Sequence, residues 1–203
     1  MKTKLFILTL TLVSTGALFA AESPKIGAGA PSFSLPGADG KTHSLGDFKG
    51  KYVVLEWFNP GCPFVQKHYK SDNMQTLQQQ FTGKGVVWLT IDSSAPGAEG
   101  SLTAEEAKKR MSEWNMHPTA FLLDPSGKVG HEYHATNTPH MFIINPSGNV
   151  IYEGAIDSKP STNPGDIKDS TNYVAAALSE AMAGKPVSTA QTKAYGCSVK
   201  YAD

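Results

Sequence analysis

The sequence has 203 residues, of which 40% are hydrophobic, and its 18 basic side chains balance its 18 acidic ones. A neutral chain with a single arginine, Arg110, lacks the basic surface that binding of a nucleic-acid backbone requires, so no nucleic-acid partner is expected. Its two cysteines, Cys62 and Cys197, are too few for a disulfide scaffold. The length fits one compact domain.

Residues 1–21 have the pattern of a secretory signal peptide. Two lysines precede an uncharged apolar run over residues 5–19, which ends in a pair of alanines. The run is shorter than the roughly 20 residues that a spanning helix needs, so no membrane span is expected. We therefore expect a periplasmic or secreted protein in which residues 22–203 form one domain with a C-terminal tail.

The first predicted elements are a small β-hairpin and a buried strand. Short alternating apolar pieces between glycines and prolines predict the hairpin within residues 28–50. Residues 52–58 are a near-continuous run of β-formers, which predicts a central strand covered on both faces. An Asn-Pro-Gly turn ends the strand, and one helical pattern follows from Pro63 to Phe81. Cys62 is thus predicted to lie at a strand-to-helix turn.

The rest of the chain alternates predicted strands and helices. In order, these are a strand over 86–91, a helix opening with the capping box Thr103–Glu106, a strand over 120–123, a short helix or irregular piece over 129–134, a hairpin of 141–144 and 150–153, a loop over 158–169 and a helix over about 171–183. The tail beyond this helix shows no strong periodicity, and its segment over 185–196, rich in small and polar residues, is expected to be pliable. This order predicts an α/β fold with a mixed central sheet flanked by helices and an N-terminal β-hairpin extension.

Three motifs resemble those of one known family. They are the strand and turn leading into Cys62-Pro-Phe-Val, the pair Thr138-Pro139 before a strand, and the terminal Gly-Cys197-Ser-Val-Lys. Their order and spacing resemble the redoxin (AhpC/TSA-like) branch of the thioredoxin superfamily, and most closely its peroxiredoxin-like members. The resemblance covers about residues 27–201. It implies a thioredoxin fold and thiol redox chemistry.

Cys62 is the candidate nucleophile. A thiolate in the first turn of a helix faces unpaired N–H groups and the positive end of the helix dipole, which lowers the pKa of the thiol. Pro63 suits the first helical position, because its missing N–H would have no partner there. The alternative is an unreactive buried cysteine. An exposed Asn-Pro-Gly turn before Cys62 favours the reactive interpretation.

The resemblance also implies a set of substrate-binding residues. Thr138 and Pro139 resemble the cis-proline segment that offers backbone groups to a substrate chain; an ordinary trans proline is the alternative. Asn59 and Pro63 flank the nucleophile in sequence, and His140 directly follows the proline. We expect these five residues to line the site.

Glu56 is the third predicted catalytic residue, in addition to Cys62 and Cys197. It occupies the place where thioredoxins carry a buried acid that relays protons, and burial would raise the pKa of its carboxyl. It could equally point to the rim of the sheet and pair with a lysine. No metal site is expected, because no histidine shows a ligand spacing with a cysteine, and the spacing of His131 and His134 is only a weak exception. No cofactor is expected.

The sequence departs from the patterns of both relatives that it resembles. A thioredoxin has a second cysteine three residues after the first, where this chain has Val65. A typical peroxiredoxin has threonine or serine and proline where this chain has Asn59 and Leu55, and Arg110 belongs to a different predicted helix. Disulfide exchange is therefore expected to be faster than peroxide reduction.

Two functions remain open from the sequence. In the first, the protein is a thiol-disulfide oxidoreductase or peroxiredoxin-like antioxidant protein: Cys62 attacks a protein or small-molecule disulfide or a peroxide, Cys197 resolves the intermediate, and an external thiol restores the enzyme. In the second, the protein is a non-catalytic thioredoxin-fold binding protein, and the same two cysteines form a structural disulfide.

Overall fold

The computed structural model describes residues 24–202, so the predicted signal peptide lies outside the described residues. In chain order the elements are β1 (Ser34–Pro36), β2 (Thr42–Ser44), a 3₁₀ helix (Leu45–Phe48), β3 (Val53–Trp57), α1 (Pro63–Lys70), α2 (Asn73–Thr82), β4 (Val87–Asp92), α3 (Ala104–Glu113), β5 (Ala120–Leu123), α4 (Lys128–Glu132), β6 (Asn137–Thr138), β7 (His140–Ile144), β8 (Val150–Gly154), a second 3₁₀ helix (Pro164–Asp169), α5 (Tyr173–Met182) and β9 (Cys197–Ser198).

Five strands form the predicted mixed sheet, in the order β5-β4-β3-β7-β8. The strands β3, β4 and β5 are parallel, whereas β7 is antiparallel to β3 and β8 is antiparallel to β7. The strand predicted over 52–58 is confirmed as the middle strand, β3, and all its residues are buried. Side chains of α1, α2 and α5 pack on one face of the sheet, and those of β1 and α4 pack on the other. Burial on both faces explains why β3 is apolar almost throughout.

Two predictions on local structure are confirmed in detail. The N-terminal hairpin consists of β1 and β2, paired antiparallel. At the start of α3, the Thr103 hydroxyl accepts the N–H of Glu106, and the Glu106 carboxylate accepts the N–H of Thr103 at 2.8 Å. This is the predicted capping box, which satisfies N–H groups that a helix start leaves free.

The single helix predicted from Pro63 to Phe81 is wrong, because the segment forms two helices, α1 and α2. Asp72 between them has a φ of 57°, a left-handed conformation that cannot continue an α-helix. The hydroxyl of Ser71 donates to carbonyl groups of the last turn of α1. The apolar periodicity gives no sign of the break, because both helices bury their apolar sides in the same core.

The tail contains more structure than its sequence indicates. Its strand β9 pairs antiparallel with β6, and the N–H of Val199 donates to the carbonyl of Thr136 at 3.1 Å. Tyr201 packs where Gly127 and Gly130 lack side chains: a Cβ on Gly130 would lie 2.4 Å from the tyrosine oxygen. The end of the tail is therefore docked on the domain.

Smaller elements complete the fold. Of the two alternatives predicted over 129–134, a short helix or an irregular piece, the structure has the short helix α4, and the loop predicted over 158–169 contains the second 3₁₀ helix. Within residues 24–202, no helix combines the length and apolar character that a membrane crossing requires.

Candidate functional site

Cys62 lies at the junction of β3 and α1. It is the N-cap residue of α1, and Pro63 occupies the first helical position. Asn59 shapes the turn before it: its side-chain oxygen accepts the N–H of Gly61 at 2.7 Å, and its amide nitrogen donates to the carbonyl of Glu99 at 2.8 Å. Both polar groups of Asn59 thus bind the loop itself.

The turn before the nucleophile is more buried than its composition suggests. Asn59 and Pro60 are buried, and only Gly61 is exposed. The residue Cys62 is 2% exposed, and Cys197 of the tail packs against the same core cluster. The expectation of an exposed turn is therefore wrong, since the tail contributes to the cover of this region.

Thr138 interacts with both cysteines. The Thr138-Pro139 peptide bond is cis, as the resemblance implies. The Sγ of Cys62 donates a hydrogen bond to the carbonyl oxygen of Thr138 at 2.9 Å, and Cys197 is the register partner of Thr138 in the ladder of β6 and β9. Both thiols are free. The structure thus brings Cys62, Cys197 and the cis-proline segment together.

The surroundings of Cys62 favour its thiolate. Burial raises the pKa of this thiol, but hydrogen bonds from the side chain of Thr138, from the side chain and N–H of Cys197 and from the N–H of Val65 lower it more. The pKa of Cys62 therefore lies below its ordinary value. The Thr138 hydroxyl is buried and has no other hydrogen-bond partner among the described residues, so it is available to the thiolate.

Cys197 has the opposite character. Burial, the hydrogen bond to Cys62 and the charge on the Cys62 thiolate raise the pKa of Cys197 to about 11. The nearby Lys200 lowers this pKa and Glu99 raises it, and the two side chains lie 3.9 Å apart. As the pH rises, Cys62 therefore ionises before Cys197, and Cys197 keeps its proton at neutral pH.

Glu56 lies inside the core, on the face of the sheet that carries α1 and α2. Four groups donate hydrogen bonds to its carboxyl: Tyr69 at 2.7 Å, Trp88 at 2.8 Å, Thr90 at 3.0 Å and Gln78 at 3.3 Å. Burial raises the pKa of this carboxyl, although the four donors favour its ionised form. The alternative of a rim position beside a lysine is wrong, because Glu56 is fully buried. None of these four hydrogen bonds reaches a cysteine.

His140 is buried beside the cis-proline, with its ring directed away from the cysteines. The ring packs on Phe142 with centroids 4.7 Å apart, and its Nδ1 accepts the N–H of Thr136 at 3.3 Å. Phe142 belongs to the core on the opposite face of the sheet from the cluster that contains Cys62. Burial lowers the pKa of the His140 imidazole to about 4, so this ring is neutral at neutral pH.

Arg110 also lies apart from the cysteines. Its guanidinium group stacks over Trp114 at 5.0 Å and pairs with Glu113 at 3.6 Å, both in or beside α3. Among residues 24–202, no three histidine, cysteine or acidic side chains cluster as metal ligands would.

One cluster beside the site was not predicted from the sequence. Lys67 of α1 is buried and forms an ion pair with Asp157, 90 residues further along the chain, and Tyr195 of the tail donates to the same aspartate. A lysine within the helix that follows the nucleophile is a weak signal by itself. Only the folded chain shows its partners.

A mixed five-stranded sheet, with a cysteine at the start of α1 beside a cis-proline, defines a thioredoxin-fold protein, as predicted. The chain belongs to the AhpC/TSA family, whose profile matches residues 26–153. The matched region contains Cys62 and the cis-proline segment. It ends before the tail that carries Cys197.

Curated relatives fall into two groups. The thiol-disulfide oxidoreductase ResA of Bacillus thuringiensis subsp. konkukian (strain 97-27) is 29% identical over 133 residues, which cover 65% of this chain and 70% of the relative. Peroxiredoxin Bcp of Escherichia coli (strain K12) is 27% identical over 151 residues, which cover 60% of this chain and 94% of the relative. This chain is therefore similar to both a disulfide-exchanging and a peroxide-reducing class.

A solved structure extends the similarity beyond the family match. An uncharacterized conserved protein from Geobacillus kaustophilus superposes with a TM-score of 0.78 at 28% identity, over 88% of this chain and 93% of that one. Its coverage exceeds even the share of the chain that residues 1–154 make up, so the likeness includes part of the region after β8.

Proposed function

We propose that this protein is an exported thiol-disulfide oxidoreductase with Cys62 as nucleophile and Cys197 as resolving cysteine. The observation that carries the proposal is the meeting of both cysteines at Thr138, which accepts the Cys62 thiol and pairs with Cys197. The likeness to ResA supports disulfide exchange, and the pattern of residues 1–21 supports export.

The reaction follows from the different pKa values of the two thiols. The Cys62 thiolate attacks one sulfur of an external disulfide, a mixed disulfide forms, and the first external thiolate leaves. Cys197 then loses its proton to that thiolate and attacks the Sγ of Cys62, which releases the second external thiolate, and this thiolate takes a proton from water. Two protein thiols are oxidised and one external disulfide is reduced to two thiols. An external thiol reductant then reduces the Cys62–Cys197 disulfide back to two thiols.

The residues around the nucleophile have separate roles in this proposal. Pro63 and Gly61 are exposed beside Cys62 and form the surface that a substrate meets first. Thr138 supplies hydrogen-bonding groups to the sulfur, and Pro139 follows it in the segment against which β9 lies. Asn59 acts on the substrate only through the shape of the turn.

Peroxide reduction is the second candidate activity, favoured by the likeness to Bcp. A peroxidase must polarise the peroxide at the sulfur, and the only arginine is engaged with Glu113 and Trp114 at the C-terminal end of α3. We therefore expect Cys62 to react more slowly with hydrogen peroxide than with a small disulfide. Stopped-flow measurement of both rates tests this order.

The test of the two-cysteine mechanism is the reversible disulfide. Mild oxidation should yield a Cys62–Cys197 peptide by mass spectrometry without reduction, and equilibration with glutathione buffers should place its reduction potential above about −300 mV. A potential below that value would instead support the structural disulfide of a binding protein. Oxidised protein with only intermolecular dimers or Cys62 sulfinic acid would mean that Cys197 does not resolve.

Export is tested separately. The full chain, expressed in a Gram-negative bacterium, should appear in the periplasmic fraction with an N-terminus near residue 22. Protein that stays in the cytoplasm with residues 1–21 attached would refute export and leave the thiol chemistry unaffected.

A further inference from the structure

A buried ion pair lies beside the two cysteines without touching either sulfur. The Nζ of Lys67 is 3.1 Å from Oδ2 of Asp157, and their side chains are 0% and 1% exposed. Lys67 also donates to the carbonyl of Lys159 at 2.8 Å. Removing two charges from water costs about as much as their attraction returns, so stability alone does not explain such a pair.

Tyr195 is the third member of this cluster. Its hydroxyl donates to Oδ1 of Asp157, and its ring lies 5.6 Å from the Lys67 nitrogen and edge-on to Phe64 at 5.7 Å. Burial raises the pKa of Asp157, but the hydrogen bonds from Tyr195 and from the backbone of Lys159, the nearby His68 and the hydrogen bond from Lys67 together lower it more. The aspartate is therefore an ionised acceptor. We call Lys67, Asp157 and Tyr195 the tail anchor.

The tail anchor connects the two elements that carry the cysteines. Lys67 lies on α1, which begins directly after Cys62, and Tyr195 stands two residues before Cys197. The cluster therefore links the helix of one thiol to the strand of the other.

Close packing at Gly196 restricts the path of the backbone between Tyr195 and Cys197. Its φ is +132°, and a Cβ built on it would lie 2.1 Å from the carbonyl oxygen of Thr138. Only glycine allows the chain to pass so close to Thr138. The side chain of Asn137 also donates to the Gly196 carbonyl at 2.9 Å. An anchored ring on one side of a fixed glycine determines where the thiol on the other side lies.

We propose that Tyr195, held by Asp157 and Lys67, is a positioning residue that keeps Cys197 against Cys62. The inference rests on the proposed two-cysteine function and deepens it. The anchor raises the effective concentration of the Cys197 thiol at Cys62, so that a mixed disulfide on Cys62 is resolved within the molecule. An incoming glutathione disulfide then leaves as two glutathione thiols, and the Cys62–Cys197 bond forms.

The hydroxyl of Tyr195 is the atom to remove. In Tyr195→Phe the ring keeps its contacts with Phe64, while Asp157 keeps the ion pair and the N–H of Lys159 at 2.9 Å. A hydrogen bond to a charged group corresponds to about a tenfold or larger factor in an equilibrium. We therefore expect the effective concentration of Cys197 at Cys62 to fall about tenfold.

Tyr52→Phe is the matched control. The Tyr52 hydroxyl also bonds a single acceptor, the carbonyl of Ala181 at 2.8 Å, at the end of α5 and away from the tail anchor. Both variants and the unmodified protein are equilibrated with glutathione buffers, and the fractions of Cys62–Cys197 disulfide and Cys62–glutathione adduct are measured by mass spectrometry. The pH dependence of the thiolate absorbance of Cys62 is recorded as well.

The expected result has two parts. Tyr195→Phe accumulates the Cys62–glutathione adduct and has a Cys62 thiolate that forms at higher pH, because the donors on Cys197 have moved away. Tyr52→Phe matches the unmodified protein in both. Equal behaviour of Tyr195→Phe and the unmodified protein, or an equal loss in Tyr52→Phe, would overturn the positioning role. Unmodified protein that forms no bridge would refute the proposed function itself.

A second variant tests the same contact by removing the acceptor of Tyr195, so that the result does not depend on the folding of one variant alone. The double substitution Lys67→Met and Asp157→Leu removes the acceptor of Tyr195 but leaves no unpaired buried charge, and such replacements are often neutral for stability. The same tenfold loss of resolution is expected. Normal resolution in the double variant would overturn the proposal.

Discussion

Cys197 lies directly opposite Thr138 in the antiparallel ladder of β6 and β9. The carbonyl of Thr138 also accepts the thiol of Cys62, so the backbone that precedes the cis-proline is already occupied by the chain's own tail. The second cysteine that a thioredoxin carries on the helix is here supplied by a strand from the end of the chain. The tail therefore takes part in the site as an element of the fold.

Replacing Thr138 with valine is expected to lower the reactivity of Cys62. The hydroxyl favours the thiolate, and its loss raises the pKa of Cys62, so that the alkylation rate with iodoacetamide at neutral pH falls by about three- to tenfold. Thr136→Val is the control, because that hydroxyl bonds the side chain of Asn137 in the exposed part of the same segment. Equal rates in the two variants would contradict the role of the Thr138 hydroxyl.

Gly196→Ala is expected to disturb the docking of β9. The new Cβ would meet the Thr138 carbonyl oxygen at 2.1 Å, and alanine is strained at a φ of +132°. Gly148→Ala is a matched control, because Gly148 has a φ of +85° with nothing within 4 Å, so it tests backbone strain alone, at about 1 kcal/mol. Urea unfolding should show the larger loss for Gly196→Ala. Bridge formation between Cys62 and Cys197 should slow only in that variant.

Glu56→Gln is expected to change how stability depends on pH. Burial raises the pKa of Glu56, so the folded protein holds a proton that the unfolded chain releases above about pH 4. Stability is full below that pH and falls as the pH rises through the folded pKa, by at most about 1.4 kcal/mol per pH unit. The variant lacks this decline. Urea unfolding between pH 5 and 8 measures it, with the exposed Glu105→Gln as control; parallel curves for Glu56→Gln and the unmodified protein would contradict it.

His140 is expected to contribute to acid unfolding. Burial lowers the pKa of its imidazole to about 4, so below the unfolded value of about 6.5 the unfolded chain binds a proton that the folded chain does not. Stability is full above about pH 6.5 and is lost as the pH falls toward 4. His140→Gln should flatten this acid limb in urea unfolding. It should not abolish the limb, because burial also lowers the pKa of His68 to about 4.

The sequence predicted the elements whose cause is local. The β3 run is apolar because both faces of a middle strand are covered, and the capping box at Thr103 needs only neighbouring residues. The cis-proline came from the resemblance. The break at Asp72 was missed because a left-handed residue between two amphipathic helices leaves the apolar periodicity intact.

The parts of the site that were missed depend on distant contacts. Nothing near Lys67 in the sequence indicates an aspartate 90 residues away, and a ladder as short as β9 has no periodicity to detect. The direction of the His140 ring follows from the alternation of side chains between the two faces of β7. This alternation was not applied to His140, because the residue directly follows a proline. Long-range pairing, rather than composition, determines these features.

The packing of Tyr201 against α4 has an evolutionary consequence. A side chain at Gly130 would occupy the place of the tyrosine hydroxyl, so the glycine and the aromatic residue depend on each other. In an alignment of relatives, positions 130 and 201 should change together: chains with a bulkier residue at 130 should lack an aromatic residue at 201. The pair would then mark, from sequence alone, which branches of the family acquired a docked tail.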